Sequence, residues 1–381
     1  MGRYTDLLFS QKNIFDTEAT DGLFLKAMRE NCLWHYRHCP EYRRILDSFR
    51  FSPYDLRKYE DIEKLPFIPT AFLKTHRMFS MPKALMPIRV TSSGTSGKMS
   101  EIGLDTASLL NGLKMVIRAA EPRGLISGRP CHFIVFGYRP DIRNRTAVSK
   151  TAFGYTFFSP AIDRTYALKP EKSSGGIKYF PDLDGVIKAI VKNSRSSFPT
   201  RFIGFPAYTY FTLRSMEQRG ISVKLPEGSS IMLGGGWKQF YKERADKKEL
   251  YRLAEKQLGI PESYISESFG AAEHPILYID CEKHSFHIPV YSRVIIRDVN
   301  TLKPLKKGET GLVNLITPMI SATPVLSILT DDLGVLRDGG ECGCGIRSPY
   351  LEIIGRVGLK EIKTCAAGAA ELLSGGAYDT L

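Results

Sequence analysis

The sequence predicts an α/β fold in which mixed sheets are flanked by helices and the C-terminal part is rich in strands. Two patterns carry that expectation. Between residues 131 and 258, short apolar runs alternate with segments of helical periodicity. From 290 to 331 the pattern is all strand, with the hairpin signal Lys307-Gly308-Glu309-Thr310-Gly311 inside it. Length agrees, since 381 residues with 43% hydrophobic content can bury one large core or two closely packed ones.

Residues 1–50 read as helical. Over Asp16 to Phe49, Leu23, Phe24, Met28, Cys32 and Tyr36 recur at spacings of one to four, as in a pair of docking helices. Residues 51–90 are proline-rich and loop-like, with Pro66-Phe67-Ile68-Pro69-Thr70 a stiff segment. The apolar run Met86-Pro87-Ile88-Arg89-Val90 then leads into Thr91-Ser92-Ser93-Gly94-Thr95-Ser96-Gly97-Lys98. Glycines let a backbone turn and bring its N–H groups close to an anion, and hydroxyls and an ammonium add donors. The loop therefore suits a polyphosphate. It lacks the Walker A spacing, and its composition alone also fits a Ser/Gly-rich surface loop.

Asp105 can cap a helix on which Leu109, Leu113, Val116 and Ile117 share one face. His132–Gly137 reads as a buried strand. Residues 169–176 and 192–200 read as loops, with Val186, Ile187, Ile190 and Val191 marking a helix between them. Arg201–Pro206 is a strand, and a helix bearing Tyr208, Phe211 and Leu213 follows. Ser230-Ile231-Met232-Leu233 is a strand that ends in Gly234-Gly235-Gly236-Trp237-Lys238. Three glycines at the carboxyl end of a strand let a ligand approach the backbone closely; a flexible turn is the other reading. A helix from Tyr241 to Leu258 stops at Gly259 and Pro261. Tyr264–Glu273 is a further strand with a glycine turn. Val290–Arg297, Gly311–Thr317 and Pro324–Leu329 are the strands of the C-terminal part.

Net charge is +13. The basic residues are scattered among acidic ones, as in Lys242-Glu243-Arg244-Ala245-Asp246-Lys247-Lys248-Glu249, which reads as a solvated helix face. There is no zinc-finger, KH or RRM signature, so nucleic acid is not the expected partner. Anionic substrates and acidic carriers account for the surplus. No apolar run approaches the ~18 residues of a membrane span. Asp6 stands where a myristoylation signal wants Ser or Thr, and no secretory signal is present. The expected location is the cytoplasm.

Seven cysteines at irregular spacing argue against a disulfide framework. Cys281, His287, Cys342 and Cys344, a C-x5-H followed by C-x-C, supply enough ligands for a closed tetrahedral zinc site of structural role. His284 is the alternative histidine, and unligated cysteines in strand-connecting turns are the competing reading. Cys365 follows Thr364, which can cap a short helix from Ala366. A helix N-terminus together with Lys360 and Lys363 favours the thiolate, a competent nucleophile.

Four stations in order resemble the adenylate-forming superfamily. They are Ser92–Lys98 for the phosphate loop, Phe269-Gly270-Ala271-Ala272-Glu273 for Y-G-x-T-E, Thr330-Asp331-Asp332 for T-G-D, and Gly355-Arg356 for the G-R before the hinge. Leu233–Lys238, the Cys-Gly-Cys-Gly run and Ile362–Leu373 resemble, more narrowly, the acyl-protein synthetases of the bacterial luminescence fatty-acid reductase complex. Phenylacetate-CoA-ligase-like relatives carry a similar Cys, His and Cys-x-Cys arrangement.

The resemblance implies an adenylate-forming large domain over 1–355, and a hinge with a short tail carrying Cys365 over 356–381. It implies ATP and Mg²⁺ as cofactors, a fatty acid as substrate, acyl-AMP as intermediate, and an acyl thioester on Cys365. It also implies a reductase partner that takes the acyl group. Lys98, Glu273 and Lys363 join Cys365 as catalytic candidates, with Glu273 on Mg²⁺. Ser92, Ser93, Gly94, Thr95, Ser96, Gly97, Gly234, Gly235, Gly236, Trp237, Phe269, Gly270, Ala272, Asp332 and Arg356 are the nucleotide-side candidates. Phe269 and Ala272 depart from the family tyrosine and threonine, so a phosphate-contacting hydroxyl is missing; His274 could replace it in part. Phe205, Tyr208, Tyr210 and Phe211 are candidates for the acyl pocket, or for core. An acyl- or aryl-CoA ligase, or a ligase loading a carrier protein, is the alternative enzyme. A non-catalytic scaffold for a reductase is the alternative outside enzymes.

Overall fold

The structure, a computed structural model, describes residues 2–92, 99–141, 143–173, 176–236 and 246–356. The chain divides into two compact units. The first comprises Met1–Ala119 and Gly270–Leu381, and the second comprises Ala120–Phe269.

The first unit opens with α1 (Arg3–Leu8), α2 (Thr17–His38) and α3 (Pro40–Ser48). Asp16 caps α2 by accepting from the Ala19 N–H. The helix buries Phe24, Ala27, Met28, Asn31, Cys32 and His35, a stripe at three- and four-residue spacing. Two members of that stripe are polar because they hold another segment. The Asn31 amide donates to the Pro318 and Ile320 carbonyls, and His35 lies between the Ser80 hydroxyl and the Ile320 carbonyl. After β1 (Ile68–Pro69) and α4 (Thr70–Leu73), strands β2 (Ile88–Thr91) and β3 (Glu101–Leu104) pair antiparallel. Helix α5 (Thr106–Ala120) follows, its first turn held by Asp105, whose carboxylate accepts from the Ser108 N–H and hydroxyl.

The side of α5 that is buried differs from the reading by hydrophobicity. Ser108, Asn111, Met115 and Ala119 face inward; of the face read from hydrophobicity, Leu113 and Ile117 are 58% and 47% exposed and Leu109 and Val116 half-buried, and the neighbouring Leu110 is 57% exposed. Hydrogen bonds set this orientation. Asp105 also accepts from Ser321, and Asn111 donates to Asp6.

The second unit is an α/β layer built around β4 (Cys131–Tyr138). In chain order it adds α6 (Ala147–Tyr155), β5 (Ala161–Ser173), β6 (Gly176–Pro181), α7 (Leu183–Asn193), β7 (Thr200–Gly204), α8 (Pro206–Gln218), β8 (Ser230–Gly234), α9 (Lys247–Leu258) and β9 (Ile265–Ala271). The spatial order is β9-β8-β7-β4-β5-β6, parallel except for the β5–β6 pair. Strand order reverses between β4 and β7. Residues 168–173 and 176–181 form the ladder of a long hairpin, so strand occupies most of 169–176, the stretch whose sequence reads as loop. Val186, Ile187 and Ile190 of α7 pack into the core with Phe136, Phe202, Ile231 and Leu253. Gly259 ends α9 at φ +70°.

Back in the first unit come β10 (His274–Ile279), β11 (Phe286–His287), β12 (Arg293–Arg297), β13 (Thr310–Ile316), β14 (Ser327–Arg337) and β15 (Tyr350–Arg356). Among the described residues the second sheet runs β11-β15-β14-β13-β12, with β1 parallel to β14. No helix among the described residues is long and apolar enough to cross a membrane.

Candidate active site and metal centre

Strands β2 and β3 present the loop at 93–98. Thr91 pairs with Glu101, and one step further Ser92 and Ser100 close the base of the loop. The Ser92 N–H donates to the Ser100 carbonyl at 3.2 Å, and the Ser100 N–H donates to the Ser92 hydroxyl at 3.1 Å. Ser93, Gly94, Thr95, Ser96, Gly97 and Lys98 themselves lie outside the described residues. The hairpin is anchored through Gly103, whose N–H donates to the Thr323 hydroxyl at 2.9 Å. The Ser100 hydroxyl donates to Glu273 Oε1 at 2.5 Å. Ser100 is fully buried and Glu273 nearly so. Among the described residues Ser100 is the only hydrogen-bond partner of the Glu273 carboxylate. A buried carboxylate so thinly partnered, beside a hydroxyl-rich loop base, is the oxygen-donor chemistry that a hard divalent cation takes. Sequence reasoning passed over Ser100, because only the strand register puts it across from Ser92.

Asp332 and Arg356 meet as directly opposed residues of β14 and β15. Arg356 Nε stands 3.7 Å from Asp332 Oδ1, and its Nη2 stands 3.8 Å from Asp331 Oδ2. Asp331 is buried and also accepts from the Thr70 hydroxyl. These contacts are long for a guanidinium–carboxylate pair, and the arginine side chain is 56% exposed. It therefore retains donors for an anionic or hydroxyl-bearing ligand. His274 follows Glu273 but faces the core, with Nε2 toward Tyr278 and Ser292. Burial pushes it down to about 3, so it is neutral and adds no positive charge for a phosphate.

Gly234, Gly235, Gly236 and Phe269 belong to the second unit. Gly234 ends β8 opposite Ser268 of β9. Gly235 sits at φ +80°, where a Cβ would stand 2.7 Å from the Phe205 ring, so only glycine fits. Phe205 is packed edge-on against Tyr138 at 5.9 Å, beside the point where strand order reverses. Tyr208 and Tyr210 pack against the core of that unit. Trp237 lies outside the described residues, as do Lys363 and Cys365.

Cys281, His287, Cys342 and Cys344 do come together, their ligand atoms all within 4.8 Å of one another. Cys281 Sγ lies 3.5 Å from Cys342 Sγ, and Cys344 Sγ lies 3.2 Å from His287 Nε2. His287 Nδ1–H donates to the Ser348 carbonyl at 2.8 Å, which leaves the Nε2 lone pair facing the sulfurs. The Lys283 N–H donates to Cys281 Sγ. Burial pushes the Cys344 thiol up to about 12, a cost that a bound cation reverses by holding the thiolate. Three sulfurs and one imidazole at these separations fit a tetrahedral zinc ion. His284 is excluded from the set. It occupies a turn at φ +57° and pairs with Asp280 at 2.6 Å.

The family model described as acyl-protein synthetase, LuxE, matches residues 3–374. A long-chain-fatty-acid–luciferin-component ligase of Aliivibrio fischeri is 24% identical over 355 residues, covering 91% of this chain and 88% of its own. A phenylacetate-coenzyme A ligase of Thermus thermophilus is 25% identical, covering 84% of this chain and 67% of its own. Among solved structures, 2-hydroxyisobutyryl-CoA ligase in its postadenylation state superposes with a TM-score of 0.67 at 16% identity. That match covers 91% of this chain and 70% of the ligase, and it establishes the fold.

Proposed function

The chain belongs to the acyl-protein synthetase family, a family of ligases, and from that premise we propose that it loads a long-chain fatty acid onto its own Cys365. In the first step a carboxylate oxygen of the fatty acid attacks the α-phosphorus of ATP. The bond to the bridging oxygen breaks, pyrophosphate leaves, and acyl-AMP forms. In the second step the Cys365 thiolate attacks the acyl carbonyl carbon. AMP departs with the bonding electron pair and the acyl thioester remains. The thioester is then open to a reductase partner.

One observation carries the first step. The Ser100–Glu273 hydrogen bond sets the base of the loop at 93–98 against a carboxylate 173 positions along the chain. A metal–triphosphate needs those two elements side by side. Glu273 would hold Mg²⁺, which supplies positive charge against the charge developing on the departing pyrophosphate. The loop hydroxyls and Lys98 would take phosphate oxygens. Asp332 would accept from the ribose hydroxyls, and Arg356 would turn its unused donors to ribose or phosphate. Cys281, His287, Cys342 and Cys344 would hold structural Zn²⁺, pinning the 281–287 turn to the segment that leads into β15.

Intact-protein mass spectrometry after incubation with Mg-ATP and a panel of fatty acids tests the whole reading. Wild type is expected to gain one acyl mass and Cys365→Ser none. AMP release only when CoA or a carrier protein is added, with no adduct, would move the assignment to a CoA or carrier-protein ligase. The similarity to phenylacetate-coenzyme A ligases favours that second reading. No adduct and no AMP with any acceptor would leave a non-catalytic member of the family.

A further inference from the structure

Ser100 has no role in the reading above beyond its contact with Glu273, yet its connections are unusual. Its backbone closes the loop base on Ser92, and its hydroxyl commits one oxygen of a buried carboxylate. Strand β3, which begins at the next residue, is itself fixed, since the Thr323 hydroxyl both accepts from the Gly103 N–H and donates to the Gly103 carbonyl. Thr323 follows the segment that Asn31 and His35 of α2 hold by its carbonyls. The neighbouring acid, Glu101, is drawn to Arg89 at 3.0 Å and Arg77 at 3.5 Å. The carboxylate joined to the loop base is therefore Glu273 and not the one next to Ser100 in sequence.

We propose that Ser100 is a positioning residue. Its hydroxyl holds Oε1 of Glu273 so that the other oxygen meets a divalent cation bound with the nucleotide, with the loop base and the carboxylate at a set separation. The inference rests on the assignment of Glu273 as the metal-holding carboxylate and adds the group that orients it. Without the hydroxyl, the carboxylate would have to be re-oriented each time the metal–nucleotide bound. The cost would fall on binding of the metal, and little of it on the fold.

The test uses the full chain with Mn²⁺ as a spin probe and the non-reacting analogue α,β-methylene-ATP. Free Mn²⁺ is read by electron paramagnetic resonance, and a thermal melt is taken for every variant. Ser100→Ala is expected to raise the half-saturating Mn²⁺ concentration about tenfold, the scale of one charge-assisted hydrogen bond. Ser100→Thr, which keeps the hydroxyl, is expected to restore it. Ser100→Cys, of similar size and a weak donor, should show the same loss and stands in where the alanine variant does not fold. Glu273→Gln should lose the Mn²⁺ site. Wild-type affinity in both Ser100→Ala and Ser100→Cys, with the site still lost in Glu273→Gln, would overturn the role of Ser100 and leave Glu273 in place. Unchanged Mn²⁺ binding in Glu273→Gln would remove the assignment of Glu273, and the inference with it.

Discussion

The first unit holds two polar clusters of opposite construction. At Cys281, His287, Cys342 and Cys344, four soft donors converge within 4.8 Å, and the second nitrogen of the histidine is already spent on a backbone carbonyl. Nothing in that geometry leaves a ligand position for a substrate. At Glu273 and at the Asp332–Arg356 pair the donors are hard oxygens and a guanidinium; Ser100 is the one hydrogen-bond partner of Glu273 among the described residues, and Arg356 Nε stands 3.7 Å from Asp332. The first arrangement is closed, as in a site whose metal stabilises the fold. The second is open, as in a site whose partners arrive with a ligand.

That contrast predicts opposite responses to substitution. Cys344→Ser should lower zinc from about one ion per chain to well below one. It should cost on the order of 3–5 kcal/mol in urea denaturation, because a structural ion's binding energy is folding energy. Full stability with no zinc in the purified wild type would break the contrast at its strongest point. Glu273→Gln should do the reverse. ATP–pyrophosphate exchange should fall about 100-fold, some 2.7 kcal/mol in the barrier, while zinc content and the melting midpoint stay at wild-type values.

Acid should act on the unit without either metal. His35 and His274 are fully buried, and burial pushes each down to about 3 from the usual 6.5. Below 6.5 the unfolded chain takes up protons that the folded chain refuses. Stability is therefore full above that value and falls as pH drops from 6.5 toward 3. By pH 5.5 the loss should be roughly 1.4 kcal/mol per histidine. Urea melts of the Cys344→Ser variant at pH 7.5 and 5.5, with a chelator present to strip residual zinc, keep loss of metal out of the comparison, and equal midpoints would refute it. The smallest effect belongs to Arg356→Ala. An exposed, loosely paired arginine should change stability by less than about 0.5 kcal/mol, so a larger loss in a thermal melt would place Arg356 with the closed cluster.

Two helices mark how far the amino-acid order could be read. In α7, Val186, Ile187 and Ile190 point inward as their spacing predicts, with Asn193 buried at the last turn and Val191 half-buried. In α5 Leu113 and Ile117 of the expected inner face point outward beside Leu110, and Leu109 and Val116 are half-buried. Asp105, Ser108 and Asn111 find hydrogen-bond partners at Ser321 and Asp6, and burying those polar groups unpaired would cost more than leaving three aliphatic side chains in water. Partners more than a hundred positions away leave no local signature.

The α/β alternation, the strand-rich C-terminal part, the caps at Asp105 and Gly259 and the inward Phe24, Met28 and Cys32 of α2 were all legible beforehand. Each follows from side-chain period or backbone freedom within a few residues. The four candidate metal ligands were legible as a set, because cysteine and histidine are scarce and their spacing is specific. The physical ground for preferring His287 to the alternative His284 was not. It depends on a turn at φ +57° that gives His284 to Asp280, and on a Ser348 carbonyl that comes from another strand connection. The Ser100–Glu273 contact and the pairing of Asp332 with Arg356 were likewise settled by packing. Register and long-range approach arise from the whole sheet closing, and no stretch of sequence contains both halves of such a contact.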